Sequence, residues 1–542
     1  MTRCQLRFVM PWRIDPMYAP RFLAASLLLA AAPLFAAERP AQTREGSPAA
    51  QRTAKAFEQA KKDGPLTLHA FLYRMPKGAD LHNHLSGAIY AETWIRDAGE
   101  DHLCVDPRKL DFTAPTTTGS GEPACTAGEV EASTVPANQH LYDALIDTFS
   151  MRTFVPRAGD SGHDHFFDTF DAFHGTSKRH MGEWLDEIAS RAAAQNEQYL
   201  ELMDTPDFSA AAKLAAPMTA SLTGDHPDFA ALRQQMIDGG IRSSIAEVRA
   251  NLDTAEADRR RIEHCGQPDA QPACKVEIRY IYQVLRAMPP ATVFAQVVQG
   301  LEVMAVDPRF VGMNFVQPED NYVAMRDYRL HMHMLAALRP LYTNNRLSLH
   351  AGELAPGMVP PDGLTFHIRE AVDVAGAQRI GHGVDIMYED RPYELLKTMA
   401  AKHVLVEINL TSNDVILNIK GDDHPFELYR KYGVPLALST DDEGVSRIDL
   451  THEFVRAAVT YPLTYADLKQ MARASIEHSF LPGESLWQSS TPETLDRPVT
   501  ACAGQTGNET PRGACAEFIS HSEKAQQQWQ LEQSFHTFES SF

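Results

Sequence analysis

Four short segments of this 542-residue chain end in the residue types that hold a metal ion and move protons. They are Leu81-His82-Asn83-His84-Leu85-Ser86-Gly87, His350-Ala351-Gly352-Glu353, Gly381-His382-Gly383 and Thr440-Asp441-Asp442-Glu443. On a strand, residues i and i+2 face the same side, so His82 and His84 can reach one ion together. Three imidazoles and one carboxylate, from His82, His84, His350 and Asp441, suit a single Zn²⁺ and leave a position for water. An ion held there lowers the pKa of a water toward about 7. Glu353, three residues beyond a ligand, is placed to carry a proton. His382, between two glycines, can stabilise developing charge or orient hydroxide, and Asp442 can hydrogen-bond a ring nitrogen. The chemistry this set implies is hydrolytic attack on an amidine-like carbon. A His-x-His pair alone says little: His163 with His165 lies in a polar segment that reads as surface or lid, and His331 with His333 lies in a helical pattern where i and i+2 diverge.

Those segments need elements to aim them. Short apolar runs near residues 79–84, 199–204, 276–282, 310–316, 346–350, 379–382, 403–409 and 434–440 read as buried parallel strands. Helical patterns fill the gaps, for example at 326–342 and 426–433. Eight strands alternating with helices fit a (β/α)8 TIM barrel within the α/β class. A doubly wound sheet alternates too, but in a barrel catalytic groups project from the C-terminal ends of several strands, and four strands here end that way. Residues 49–63 read as an N-terminal helix, 101–136 as an insertion after the first strand, 205–228 as irregular, and 487–514 as irregular before a polar helical tail. The expected organisation is a signal peptide at 1–37, a leader and helix at 38–74, the metal-dependent barrel at 75–486, and the C-terminal tail at 487–542.

Composition bounds partners and compartment. The formal net charge of −21 repels nucleic-acid backbone and anionic membrane. The apolar run Phe22–Ala36, preceded by Arg21 and ending in small residues, has the length of an export-signal core and is too short for an ordinary membrane span. Met17 is an alternative start, and an uncleaved anchor is the competing reading. Beyond Cys4, the cysteines fall into three local pairs, Cys104 and Cys125, Cys265 and Cys274, and Cys502 and Cys515. An even count in an exported chain reads as disulfides; six allow 15 connectivities, of which nearest-neighbour pairing is the simplest. The expected location is periplasmic or extracellular. The N-terminal helix and the insertion are also surfaces on which a homodimer could form.

The stretches Met75–Gly87 (MPKGADLHNHLSG), Leu349–Glu353 (LHAGE), Arg379–Asp385 (RIGHGVD) and Ser439–Gly444 (STDDEG) resemble the four signature segments of the adenosine deaminases. The resemblance runs from about residue 70 to 480. The MPKG opening, the signal and the paired cysteines resemble the secreted, growth-factor-related branch. The resemblance implies a (β/α)8 barrel with one zinc that converts adenosine or deoxyadenosine to the inosine product and ammonia. It assigns metal ligation to His82, His84, His350 and Asp441, acid/base work to Glu353, hydroxide activation to His382 and purine N7 contact to Asp442. It places Ser86, Gly87, Gln317 and Glu319 at substrate-binding positions. There the chain departs from the pattern: Ser86 stands for a ribose-contacting Asp, Gln317 for a purine-contacting Gly, Asn409-Leu410 for Cys-Pro, and Glu443 for Pro. Other readings are a deaminase of adenine or of a modified adenosine, a different mononuclear-zinc amidohydrolase, and a noncatalytic nucleoside-binding protein.

Overall fold

A computed structural model of the chain describes residues 47–117, 123–224, 226–491, 495–505, 507 and 509–542. The expected export signal and most of the leader lie outside the described residues. Eight parallel strands follow in chain order: β1 Gly78–His84, β2 Glu197–Asp204, β3 Glu277–Leu285, β4 Phe310–Val316, β5 Ser348–Ala351, β6 Arg379–His382, β7 Leu405–Ile408 and β8 Leu436–Leu438. They pair as β1-β2-β3-β4 and β5-β6-β7-β8. Isolated parallel bridges join the two sheets at both seams, Met313 to Leu347 and Asn83 to Asp441. The result is a closed (β/α)8 arrangement in which every strand is buried on both faces, as apolar parallel strands require.

Side chains fill the barrel interior, and several of them are charged. The guanidinium of Arg379 at the start of β6 lies 2.6 Å from Glu201 on β2 and 2.6 Å from Glu407 on β7, and stacks 3.9 Å over the ring of Phe480. Two buried carboxylates are thereby compensated by one cation, the condition under which charge survives in a low-dielectric interior. The β8–β1 seam is polar as well. Asn83 Nδ2 donates to Thr440 Oγ1 at 3.0 Å and to Glu443 Oε1 at 3.1 Å, and Glu443 pairs with Arg191 at 2.8 Å. These contacts fix the register at which Asp441 meets His82.

The helices that matter to the site are α1 Pro48–Asp63, α2 Pro65–Arg74, α3 Gly162–Ala172, α4 Met181–Ala194, α5 Tyr322–Leu338, α6 Leu410–Leu417 and α7 Glu523–Glu539. Lys77, in the MPKG opening, is buried and donates from Nζ to the carbonyls of Leu72 (2.8 Å), Met75 (3.1 Å) and Gln195 (2.6 Å). It satisfies chain ends left by α2 and α4 and so locks the entry to β1. Gly78 follows at φ 75°, where a Cβ would lie 2.3 Å from the Ala472 carbonyl. The polar tail ends in α7, which packs back on α1, α2 and the helix Tyr465–Glu477: Thr53 of α1 reaches the Glu539 carbonyl, Phe538 packs edge-on to Phe71 of α2, and Tyr465 and Lys469 both reach the Glu539 carboxylate.

The structure differs from the sequence expectations in three places. Residues 205–228, expected to be irregular, contain helices Ser209–Ala215 and Thr219–Leu222, because the alanine-rich run favours helix despite its flanking prolines. β3 extends three residues beyond its expected end, through Gln283, Val284 and Leu285. The insertion forms short antiparallel strands, Cys104–Asp106 with Asp111–Thr113 and Val130–Glu131. The disulfides are Cys104–Cys125, Cys265–Cys274 and Cys502–Cys515, the nearest-neighbour set. Among the described residues no helix is long and apolar enough to cross a membrane.

The Cys104–Cys125 bond ties an insertion that otherwise has two- and three-residue strands to hold it. Replacing both by Ser should lower stability by about 2–4 kcal/mol through the freed unfolded loop. Urea unfolding of the oxidised proteins measures this, and an unchanged midpoint would show that the small sheet holds itself.

Candidate active site

The ends of β1, β5, β6 and β8 meet at one point. His82 Nε2 lies 3.1 Å from His350 Nε2, and Asp441 Oδ1 lies 3.4 Å from His82 Nε2 and 3.0 Å from His84 Nε2. Backbone strain helps aim them: His382 and Asp441 are not glycines, yet have φ 69° and 61°. Left-handed backbone at strand ends is a known place for stored strain at functional sites.

A layer of polar residues behind these histidines fixes their tautomers. His82 Nδ1 donates to Glu407 Oε2 (2.7 Å), His84 Nδ1 to Gln283 Oε1 (2.7 Å) and His350 Nδ1 to Asn314 Oδ1 (2.6 Å). A neutral imidazole that donates from Nδ1 has a bare Nε2. With the rings neutral, three Nε2 lone pairs converge beside a carboxylate, an arrangement that protons or a metal cation relieve. The donor set fits a metal ion: His82, His350, His382 and Asp441 place ligand atoms within 4.8 Å of one another, as do His84, Asp441 and Asp442. His382 differs from the other three histidines, because its Nδ1 faces the amide nitrogen of Asn413 at 2.9 Å.

Electrostatics separates the carboxylates. Burial works against ionised Asp441, yet with protons on the Nε2 atoms of His82 and His84 that face it, their hydrogen bonds hold it well below the usual range. Burial, then the neighbouring Asp441 and Glu319, pushes Glu353 well above its ordinary value. Burial and Asp441 likewise push Asp442 up to about 8. One anion and two protonated acids thus share the floor, the division of labour that acid/base chemistry uses.

The floor opens into a cavity of about 660 Å³. His84, His350, Glu353, Asp441 and Asp442 line its base, and Trp94, Phe166, Phe167, Phe170, Phe173 and Trp184 its wall. His82 and His382 are fully buried beneath. Helix α3 carries three of the aromatic residues and lies across the mouth. His163 at its start bridges to Asp320 beyond β4 (3.1 Å), and Gly162 lies so near the Val415 carbonyl of α6 that a Cβ there would come within 2.0 Å.

The substrate-position residues divide. Ser86 and Gln317 line the cavity. Gln317 has φ 87°, and its side chain folds back to accept from the Ala287 amide at 2.9 Å. The backbone there follows a course suited to glycine, and the side-chain oxygen is held by the Ala287 amide at the cavity wall. Gly87 lines no cavity wall; a Cβ there would lie 1.6 Å from Asp442 Oδ1, so it makes room for that acid. Glu319 is buried behind the loop, accepting from the amides of Gly352 (3.2 Å) and Glu353 (2.8 Å), and so shapes the turn that presents Glu353.

Sequence reasoning missed Glu407, Gln283, Asn314, Asn413, His424 and Ser412, whose hydroxyl donates to Asp441 Oδ2 at 2.6 Å. For Glu407 and Asn314 the signal was present, one polar residue inside an otherwise apolar parallel strand; β3, which holds Gln283, also carries Glu277 and Arg279. His331 is buried in α5, away from the cavity, as its helical spacing implied.

Comparison with known proteins places this arrangement. A family model described as adenosine deaminase matches residues 161–487, more than half the chain. The adenosine deaminase of Clostridium perfringens (strain 13 / Type A) is 35% identical over 139 residues, 25% of this chain and 38% of the relative. That of Enterococcus faecalis is 35% identical over 136 residues, 25% of this chain and 37% of the relative. The chain thus aligns with under half the length of these relatives. Among solved structures, a Burkholderia ambifaria amidohydrolase with bound zinc has a TM-score of 0.49 at 19% identity, covering 77% of this chain and 88% of its own. An Arabidopsis protein complexed with GMP has a TM-score of 0.48 at 18% identity, covering 76% and 94%.

Glu407 links the Arg379 ion pair to His82, so its loss should be felt at the metal position. Glu407→Gln should weaken Zn²⁺ binding by about 10–100-fold, the usual effect of removing such a partner. Chelator competition on the folded protein reads this directly; an unchanged affinity would separate His82 from metal binding.

Proposed function

Because this chain belongs to the adenosine deaminase family, we propose that its barrel mouth deaminates an adenine nucleoside, adenosine or deoxyadenosine, to the inosine product and ammonia. The observation that carries the reading is the convergence of three bare Nε2 atoms and ionised Asp441 beside protonated Glu353 at the base of a nucleoside-sized, aromatic-walled cavity. Zn²⁺ held by His82, His84, His350 and Asp441 would supply an activated water at neutral pH. The chain's own residues do the rest. Glu353, kept protonated by burial, gives its proton to the ring nitrogen beside the amino-bearing carbon, which makes that carbon electrophilic. Asp442, also protonated near neutral pH, donates to the neighbouring ring nitrogen N7. A C–O bond forms, the exocyclic C–N bond breaks, and ammonia leaves with protons supplied by the acid residues and water. His382 faces the same reacting region, 3.8 Å from Asp441 Oδ2.

The rim favours a neutral nucleoside over its 5′-phosphate. Asp168 and Asp171 line it, and the one lysine among the lining residues, Lys178, is held by the Thr205 carbonyl at 2.6 Å and faces Asp204 at 3.5 Å. The Gln317 side-chain oxygen is taken up by the Ala287 amide, so it is not a free acceptor for the base. Export to the periplasm or beyond rests on the apolar run at 22–36 and is supported by the three disulfides, which persist in oxidising compartments. The barrel from 75 to 486 is the catalytic part of this reading.

Zinc-loaded protein should convert adenosine, followed by the ultraviolet change from an adenine to a hypoxanthine ring, and Glu353→Gln should lower kcat by about 10²–10⁴-fold. Adenosine monophosphate should react at a kcat/KM at least about tenfold lower, since one unfavourable charge contact of about 1.4 kcal/mol suffices for that factor. No turnover of adenosine by folded, zinc-loaded protein would overturn the substrate assignment, and equal rates for both compounds would overturn the rim argument.

A further inference from the structure

His382 is the one histidine of the cluster whose ring is held from the opposite side. We infer that Asn413 and His424 are positioning residues that fix His382 as the Nε2–H tautomer, so that it serves as a hydrogen-bond donor to the reacting oxygen and not as a base. The inference rests on the deaminase reading above for the identity of that oxygen, and on donor and acceptor accounting alone for the tautomer.

The accounting starts at a backbone amide. Phe426 N–H points at His424 Nδ1 over 3.1 Å. A backbone N–H can only donate, so His424 Nδ1 is bare and the ring's proton is on Nε2. His424 Nε2 lies 3.1 Å from Asn413 Oδ1 and donates to it. That contact decides which way the Asn413 amide lies, because the reverse orientation would face two donors together. The amide nitrogen of Asn413 therefore points at His382 Nδ1, 2.9 Å away. Asn409 places its amide nitrogen against the ring, 3.4 Å from Nδ1 and 3.5 Å from Nε2, and so does not choose between them. The Asn413 donor at 2.9 Å is nearer to Nδ1 than Glu353 Oε1 at 3.6 Å and leaves that nitrogen no proton, so the His382 proton is on Nε2, the side that faces Asp441 Oδ2.

Each member of the chain is buried: His382 and Asn413 are 0% exposed, Asn409 1% and His424 4%. Water does not average the orientation of the amide. His82, His84 and His350 show the contrast. Each meets an acceptor at Nδ1 and keeps Nε2 bare, so the same residue type is set for ligation in three places and for donation in the fourth.

The test is the tautomer itself. In full-length protein labelled with ¹⁵N-histidine, long-range ¹H–¹⁵N correlation reads the protonation of each ring nitrogen, and His382→Gln identifies the His382 signals by their loss. The expected wild-type result is a bare Nδ1 and a protonated Nε2, in metal-free and zinc-loaded protein alike. Asn413→Asp offers an acceptor in place of the donor; it should move the proton to Nδ1 and lower kcat by about 10²-fold, with KM changed by less than about threefold. His424→Gln retains a donor toward Asn413 and should keep the wild-type tautomer. A wild-type His382 protonated at Nδ1, or at both nitrogens, overturns the inference even if no variant folds. An unchanged tautomer in folded Asn413→Asp overturns it as well. The expected tautomer in a protein that deaminates no adenine nucleoside would leave the positioning intact and sink the functional reading instead.

Discussion

Everything at this barrel mouth depends on one unfavourable arrangement, three imidazole lone pairs pointed at each other. His82 and His350 bring their Nε2 atoms to 3.1 Å, and His84 joins them through the Asp441 carboxylate. Left to themselves, such rings would turn away or take up protons. Turning away is not open to them, because each Nδ1–H is already given to an acceptor held on a different strand, Glu407, Gln283 or Asn314. Nε2, by contrast, can take a proton: burial opposes it, but Asp441 and Glu407 raise the His82 pKa to about 10. Those acceptors are buried and cannot rotate into water. The repulsion is therefore built in, and a cation relieves it. Preorganisation of this kind makes binding affinity depend on the supporting residues nearly as much as on the ligands.

The supporting layer explains why a closed barrel is needed. Glu407 reaches His82 across the interior, from β7 to β1, while also receiving Arg379 from β6 and the Ser348 hydroxyl from β5. Arg379 continues to Glu201 on β2. One network thus touches five strands and ties the metal-facing end of β1 to strands on the far side of the ring. In an open sheet those side chains could not face one another. The seams serve the same end, since the β1–β8 bridge at Asn83 and Asp441 brings the carboxylate ligand to the histidine pair.

The parts of this design that were legible in the sequence are those with a local signature. Strands ending in His, Asp or Glu could be counted, and i, i+2 spacing paired His82 with His84. The supporting acceptors Glu407 and Asn314 had a weaker signature, a lone polar residue in an apolar run, and Gln283 was lost with the three residues by which β3 outran its expected end. Asn413 and His424 had none, because their meaning comes from a contact across eleven residues and from a backbone amide that no residue type reveals. Glu319 shows the converse. Its position suggested substrate contact, and only the fold shows its carboxylate spent on the amides of Gly352 and Glu353. The departures at Gln317 and Ser86 could be seen as departures, but whether Gln317 blocks the cavity depends on a left-handed φ of 87° that sequence does not specify.

The acids of the floor complete the logic. Asp441, Asp442 and Glu353 are buried close together, and three ionised carboxylates could not share that volume. Histidine hydrogen bonds settle which one is ionised, holding Asp441 as the anion, and burial keeps the other two protonated. Asp441 is the anion of this trio and faces the histidines, while Glu353 and Asp442, both pushed up by burial, line the cavity. In the deaminase reading proposed above, a purine would offer acceptor nitrogens along one edge to these two acids, so the same electrostatic division would serve both the metal site and the base. Ligation and recognition are set by one allocation of protons among buried groups, and a substitution that moved a proton between Asp441 and either neighbour would disturb both at once.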